Sequence, residues 1–466
     1  MPNRKNGVPF DKIEKLLSIG GAKVHFVGVG GVSMSSLARL AIMSGATVSG
    51  SDRDLGERTR ELAALGAHIH AGHSAEHITE DIQLVVYSGA ISEANAELIR
   101  AEELGISTVS RARFMGALMM SYREKIGVSG THGKSTTTAM LDAIFTAAGR
   151  SPTTLAGEDL PTINSPLRAG GKDTLIYEAC EYKDAFLMFT PTVAVALNME
   201  MDHVDYYKDI GQLRSSFAKA LSRARGFVLL NEDDENLFKI KPKITSRVLT
   251  FGTGERCDYR YSILSFGDTG HTFDISREGR TLGVFRLSLP GAFNVTNAAA
   301  AAIVALECGI SPKVIEDALH NFGGIKRRLQ TVGRHFGRPV IYDYAHHPTE
   351  VRASINTVRL MNHEEVTVIF KPHTYTRTQH FWREFRAALE LADYIILTDI
   401  FPARENPIPG VTAENLAKAI GSKAIYCKDS EVEEIVDHYT HGSILVMGAG
   451  DLTDVKDRLI RSQDGA

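Results

Sequence analysis

Short apolar runs, each ending in small or acidic residues and each followed by a stretch with helical spacing, recur along the whole chain. "KVHFVGVGG" from Lys23 predicts a strand entering a glycine-rich turn, "SMSSLARLAIMSG" the helix after it, and "ATVSGSD" a second strand. The runs "LVVYSGA" near Val85 and "ISTVS" near Ile106 continue the alternation to about Tyr122, a pattern of parallel strands flanked by helices. A second block opens on "KIGVSG" and carries "TLIYEACE", "TVAVALN" and "FVLLNEDD"; a third opens on "RPVIYDYAHHP" and carries "EVTVIFKPH", "YIILTDIF", "KAIYC" and "SILVMGAGD". The pattern therefore predicts an α/β protein of three domains, at residues 1–122, 123–332 and 333–466, with a mostly parallel sheet in the second and a doubly wound third. A length of 466 residues fits that division, because one core seldom grows past about 250 to 300 residues. No short fixed period is visible, which argues against a solenoid.

Two of the strand-to-helix turns carry chemistry. Gly28, Gly30 and Gly31 let backbone approach a pyrophosphate whose charge the following helix N-terminus stabilises, and Asp52 ends the next strand, where it can accept from a ribose hydroxyl. Ser33 replaces the third glycine of a dinucleotide fingerprint, so these residues also fit a plain tight turn. The second turn, "GVSGTHGKSTTT", is the stronger signal. Gly130, Thr131, His132 and Gly133 precede Lys134, Ser135 and Thr136 between an apolar strand and the helical "STTTAMLDAIFTAAG". Backbone amides there cradle phosphates, the lysine reaches the terminal ones, and the serine hydroxyl suits magnesium. Val128 stands where the strict motif has its first glycine. Two phosphate-binding turns on separate units predict ATP in the second block and a phosphorylated substrate in the first, hence a ligase or kinase.

Composition narrows the picture further. With 43% hydrophobic and 23% charged residues and a formal net charge of −4, nothing global calls for nucleic acid or an anionic membrane. Cys180, Cys257, Cys308 and Cys427 are dispersed, without zinc-site or disulfide-framework spacing. No uncharged apolar run reaches the roughly 18 residues of a membrane span, and "MPNRKNGVPF" has no apolar signal core, so a soluble cytoplasmic protein is expected.

Many segments, in order, carry a resemblance to the Mur ligases: "GVGGVSMSSLA", "SGSD", "SRARFMGALM", "GTHGKSTTT", "EACEY", "NMEMDHVDYY", "FNVTNAAAA", "GIKRRLQ", "DYAHHPTEV", "FKPHTYTRT", "DIFPARE" and "GAGD". The resemblance implies a Rossmann-like UDP-binding domain, a central P-loop ATPase domain and a Rossmann-like C-terminal domain for the incoming amino acid. It implies ATP and Mg2+ as cofactors. The implied reaction joins L-alanine to the lactyl carboxylate of UDP-N-acetylmuramate through an acyl phosphate. A ligase that attaches an intact tripeptide to the same sugar nucleotide is the alternative within the family, and a nucleotide sensor without catalysis the alternative outside enzymes. Folylpolyglutamate synthase shares the ATPase core but lacks a block ahead of the P-loop. The chain is expected to act as a monomer or homodimer.

Site residues follow from the matched motifs. Lys134, Glu178, His203, His347 and Arg377 are the implied catalytic set, and Ser135, Glu178 and His203 the implied metal ligands. Gly130 to Thr136, Asn294, Asn297 and Arg328 fall to the nucleotide. Gly28, Gly30, Gly31, Ser33, Met34, Ser35, Asp52, Ser88, Arg111, Asp343, Tyr344, His346 and His373 fall to the substrates. Read by residue type alone, His203 fits polar loop packing equally well, Asn294 and Asn297 fit a helix cap, and "HHP" fits a turn. His373 and Arg377 suit the alanine carboxylate or the transferred phosphoryl group. Arg327 beside Arg328 suits phosphate or a domain anchor, and Glu181 can exchange roles with Glu178. Lys208 and Lys219 lie in the stretch where related ligases carry a carbamylated lysine, and neither is assigned. Four positions depart from the family pattern: Ser33 for Gly, Ser135 for Thr, Phe293 for His and Lys371 for Gln. Ser135 keeps the hydroxyl, Ser33 is expected to cap its helix, and Phe293 offers a platform beside adenine.

Overall fold

The computed structural model describes residues 7–267, 270–362, 365–438 and 442–461. Strand Lys23–Val27 sits at the centre of the first sheet, with four consecutive buried residues because helices cover both faces. The sheet is wholly parallel, in the order His68–Ala71, Thr47–Asp52, Lys23–Val27, Leu84–Tyr87, Ser107–Ser110. Strand order reverses beside Lys23–Val27, so a crevice opens between the turn after Val27 and the turn after Tyr87.

Among the described residues the second sheet has ten strands. Its parallel centre runs Val248–Gly252, Phe227–Asn231, Val193–Ala196, Glu124–Ser129, Thr174–Glu178, Thr153–Leu160. Ser165–Arg168 adds antiparallel at one edge. At the other edge Tyr259–Gly267, Gly270–Arg277 and Arg280–Leu287 form an antiparallel meander that the apolar runs do not announce. The reason is its pattern. Gly270–Arg277 alternates buried with half-exposed residues, so no continuous apolar run marks it. Its inner residues Phe273, Ile275 and Phe285 join one core with helix Ala292–Glu307, whose residues from Ala298 to Ala305 are fully buried. Short alanine side chains let that helix lie close against the P-loop helix Lys134–Ala147.

The third sheet runs Gln330–His335, Arg338–Asp343, Ser443–Met447, Val366–Phe370, Tyr394–Leu397, Ala424–Tyr426, with only the first strand antiparallel. This corrects the expected boundary at 332/333, which would cut Gln330–His335 in two. The strand pairs with Arg338–Asp343 and belongs to the third domain. The first two domains share a core in which Phe114 and Met115 join Phe186, Phe189 and Phe217. A Cβ at Gly116 would sit 2.4 Å from the Met188 carbonyl oxygen, so that close approach requires glycine. Among the described residues no helix is long and apolar enough to cross a membrane.

Candidate active site

The loop from Gly130 to Gly133 is held from both sides. Asn198 accepts from the His132 N–H at 2.8 Å and donates to the His132 carbonyl at 3.0 Å. Thr131 and Glu200 exchange two bonds, at 2.9 and 3.1 Å. Gly133 ends the loop at φ 82°, and a Cβ there would sit 2.3 Å from Asn297 Oδ1. Helix Lys134–Ala147 then presents its unpaired first N–H groups to the loop, the usual seat of a phosphate. The lysine itself folds back: Nζ donates to the Gly130 and Thr131 carbonyls and lies 3.1 Å from Glu181. Burial opposes its charge, but Glu181, Cys180 and Glu178 outweigh burial and keep the ammonium charged.

Glu178 and Glu181 have separate positions. Glu178 accepts from the Gly157 N–H and lies close enough to the Ser135 hydroxyl for it to favour the carboxylate, and burial raises its pKa despite both. Glu181 faces Lys134 and stands 3.7 Å from His203 Nε2. His203 adopts a left-handed φ of 51°, which turns its ring onto Tyr182 with centroids 4.7 Å apart. The structure thus groups Ser135 with Glu178, and His203 with Glu181. Lys208 and Lys219 are both exposed.

A cleft of about 290 Å³ opens beside the loop between the second and third domains. His132, Gly133, Ser135 and Thr136 line one wall, and Arg328, Asp343, Thr349 and Glu350 the other. Leu289, Phe293, Ile325 and Leu329 form an apolar end that suits a planar base. Phe293 is 40% exposed, so its ring is free to face a ligand. Asn294 and Asn297 line the cleft as well, and the capping alternative is set aside: the helix begins at Ala292 with Gly291 as its cap. Asn294 donates to the Pro290 carbonyl at 2.7 Å. Arg328 turns into the cleft, whereas Arg327 pairs with Glu158 at 2.6 Å and anchors the domain junction.

The third domain supplies a tight polar cluster. Asp343 holds the Ser354 hydroxyl, and burial pushes its pKa up to about 6. Tyr344 lies under Arg327 and Arg328, with their guanidinium carbons 4.8 and 5.2 Å from the ring centre. His346 donates to the Tyr344 carbonyl at 3.0 Å, and burial holds it down to about 3, a neutral imidazole. His373 is likewise held down to about 4 by burial and by Arg377. The guanidinium of Arg377 is not an open clamp. It is buried, donates to Asp202 at 2.8 and 3.1 Å, and lies 2.9 Å from His373 Nδ1, so its fork bridges two domains. His347 donates from Nε2 to the Met201 carbonyl at 3.1 Å, a second bridge. A third joins His132 Nδ1 to Glu350 at 3.0 Å. Burial disfavours the His132 cation, but Glu350 and Glu200 outweigh it and raise the pKa to about 9.

In the first domain, Gly28 and Ser88 follow paired strand ends and flank the crevice. Asp52 Oδ2 accepts the Gly30 N–H at 2.8 Å, so the carboxylate already braces the turn. One expectation is corrected here: Ser33 does not cap helix Val32–Met43, because Gly31 takes that place. The Met34 side chain is buried in the core, so a ligand would meet its backbone N–H. Ser35 spends its hydroxyl on the Val32 carbonyl. Arg111 opens helix Arg111–Leu118 close enough to Cys180 to act on its charge, which turns it toward the second domain. Glu200, Asp202 and Glu350, which tie the domains together, were not singled out from sequence. Their only signal was position, in the quoted "NMEMDH" and "HHPTE" segments at the carboxyl ends of strands.

A P-loop domain followed by a doubly wound domain, with a cleft between them and a second glycine-rich strand-to-helix turn ahead, fits a nucleotide-dependent ligase architecture. The chain belongs to the Mur ligase family: it matches "Mur ligase family, catalytic domain" over residues 23–123, "Mur ligase middle domain" over 128–305 and "Mur ligase, glutamate ligase domain" over 327–450. It is 39% identical over 446 residues to a UDP-N-acetylmuramate--L-alanine ligase of Clostridium kluyveri, covering 94% of this chain and 97% of that one. A Clostridium novyi protein of the same name is 37% identical, with 95% and 98% covered. The crystal structure of UDP-N-acetylmuramate-alanine ligase MurC from Thermotoga maritima is similar at a TM-score of 0.80 and 28% identity, over 95% of this chain and 100% of that one. A murein peptide ligase from Psychrobacter arcticus shares the fold at a TM-score of 0.72 and 23% identity.

Proposed function

We propose that the protein is an ATP-dependent ligase that joins L-alanine to the lactyl carboxylate of UDP-N-acetylmuramate, releasing ADP and phosphate. The observation that carries this reading is the near full-length match to ligases of that name. A carboxylate resists attack by an amine because it is negatively charged and has no good leaving group. Transfer of the γ-phosphoryl group of ATP to the carboxylate supplies one, and the neutral amine of alanine then expels phosphate and forms the amide. Such a transfer demands mostly position and charge.

The residues present suit those demands. The N–H groups of the loop and Lys134 bind the phosphates, with the lysine leaving its carbonyl partners to do so. Asn294, Asn297 and Phe293 take the base, and Arg328 faces the phosphate side. Ser135 and Glu178 offer adjacent oxygen donors, which fit Mg2+, and His203 with Glu181 offers a second position beside the acceptor. When bound, the ion neutralises charge on the β- and γ-phosphates. Asp52, Ser88, Arg111 and the amides after Gly28 hold the sugar nucleotide. The partners are thus UDP-N-acetylmuramate and alanine.

Phosphate release with ATP, Mg2+ and UDP-N-acetylmuramate tests the reading, with L-alanine, glycine, serine or the tripeptide added separately. Release that depends on alanine, with the amide found by mass spectrometry, is expected. Release with the tripeptide alone would make the chain the recycling ligase instead, and none with any acceptor would point to a sensor.

A further inference from the structure

Where the P-loop meets the third domain, two imidazoles and a carboxylate converge. One donor atom each from His132, Glu200 and His347 lies within 4.8 Å of the other two. Glu200 Oε2 stands 3.6 Å from His132 Nε2 and 3.5 Å from His347 Nδ1. A tetrahedral ion with bonds of about 2.0 to 2.2 Å sets its donors roughly 3.3 to 3.5 Å apart, so both of these edges are near the required length.

The tautomers point the same way. His347 Nε2 faces the Met201 carbonyl at 3.1 Å, and a carbonyl only accepts, so Nε2 carries the proton and Nδ1 turns a lone pair toward the carboxylate. Two acceptors then face each other at 3.5 Å, with Thr349 donating its N–H to Nδ1 at 3.3 Å and its hydroxyl to the same Glu200 oxygen. His132 is held at Nδ1 by Glu350, and among the described residues its buried Nε2 has no hydrogen-bond partner; the proton it carries in the cation leaves to solvent when an ion binds. Each imidazole is therefore anchored at its outer nitrogen by an oxygen, the arrangement that orients metal-bound histidines. The Thr349 hydroxyl, 2.6 Å from Glu200, holds the carboxylate in place.

We propose that His132, Glu200 and His347 form a binding site for a borderline-soft divalent cation of the zinc class, with its fourth position toward the nucleotide cleft. Two nitrogens and one oxygen suit Zn2+ or Co2+ better than Mg2+, which prefers oxygens throughout. The site is separate from the oxygen-rich pair of Ser135 and Glu178. Because His132 and Glu200 belong to the second domain and His347 to the third, the ion ties the two domains together.

The test uses the full chain, freed of metal by a chelator, with Co2+ as the optical probe and no nucleotide or substrate present. A single equivalent should give the visible absorption of four-coordinate cobalt, displaced by Zn2+ and not by excess Mg2+. Glu200→Gln and His347→Gln should weaken binding about tenfold or more, whereas His73→Gln leaves it unchanged. His347→Cys should add a sulfur-to-cobalt charge-transfer band, a gain that misfolding cannot imitate. Cobalt binding that survives Glu200→Gln and His347→Gln, absence of the new band in a folded His347→Cys chain, or no binding by the intact chain would each overturn the proposal. The readout needs no ligase substrate, so its failure and that of the ligase reading are told apart.

Discussion

Lys134 sums the charge logic of the site at the scale of one residue. Its half-buried ammonium lies against Glu181 and two loop carbonyls, partners that a polyphosphate can replace without leaving the cation unpaired. Lys134→Ala should lower turnover by at least about 10³-fold in a phosphate-release assay while the protein stays folded. Unimpaired turnover would remove the loop from the chemistry. Gly133→Ala meets two obstacles, a left-handed φ and Asn297 Oδ1 at 2.3 Å from the new methyl. The φ strain alone costs about 1 to 3 kcal/mol, so a lower unfolding midpoint and loss of nucleotide affinity by calorimetry are expected. Neither position could be priced from sequence, because the motif names residue types while the neighbour at Gly133 comes from a helix more than a hundred and fifty positions away.

Among elements, helix Ala96–Glu103 carries the clearest acid-sensitive feature. Its buried Glu97 accepts from Ser51 at 2.8 Å and meets His73 at 2.7 Å, His77 at 2.9 Å and His25 at 3.3 Å. Burial opposes the Glu97 charge, but these bonds prevail and hold its pKa down to about 2. His70, stacked on His77, tilted toward His25 and edge-on to His68, is held down to about 4 by burial and by its histidine neighbours. Both signs agree. A depressed carboxylate contributes stability above its unfolded value of 4.5 that is lost as pH falls toward 2, and a depressed imidazole loses stability as pH falls from 6.5 to about 4. The unfolding midpoint should therefore fall on acidification from pH 7, and Glu97→Gln should lower it at neutral pH and flatten the loss below 4.5. A midpoint unchanged between pH 7 and pH 4 would contradict this account. "HIHAGHSAEH" showed the histidines in sequence, but only the pairing of Thr47–Asp52 with His68–Ala71 brings them to one acid.

At the scale of the molecule, the Asp202 and Arg377 pair, the His132 and Glu350 pair and the Met201 carbonyl at His347 close the cleft between the second and third domains. Asp202→Asn leaves Arg377 buried with its charge unpaired, a loss of about 3 to 5 kcal/mol in comparable cases. Faster proteolysis near residue 327 and a reduced kcat are expected, and resistance equal to the parent chain would count against a bridging role. Three α/β units joined by short segments should also close further on their ligands, and scattering should show a smaller radius of gyration when all are bound. The sequence by itself determined the three α/β blocks, the two glycine-rich strand-to-helix turns and the family, because buried parallel strands are continuous apolar runs and the turns need small residues at set spacing. Tertiary structure alone decided the meander at the sheet edge, the strand that moves the third domain's start to Gln330, the split of Glu178 from Glu181 and the turning of Arg377 onto Asp202. Half-buried strands leave only an alternating trace, and the partner of a buried charge is settled by which distant residue the fold carries within a few ångströms, a distance that sequence separation does not encode.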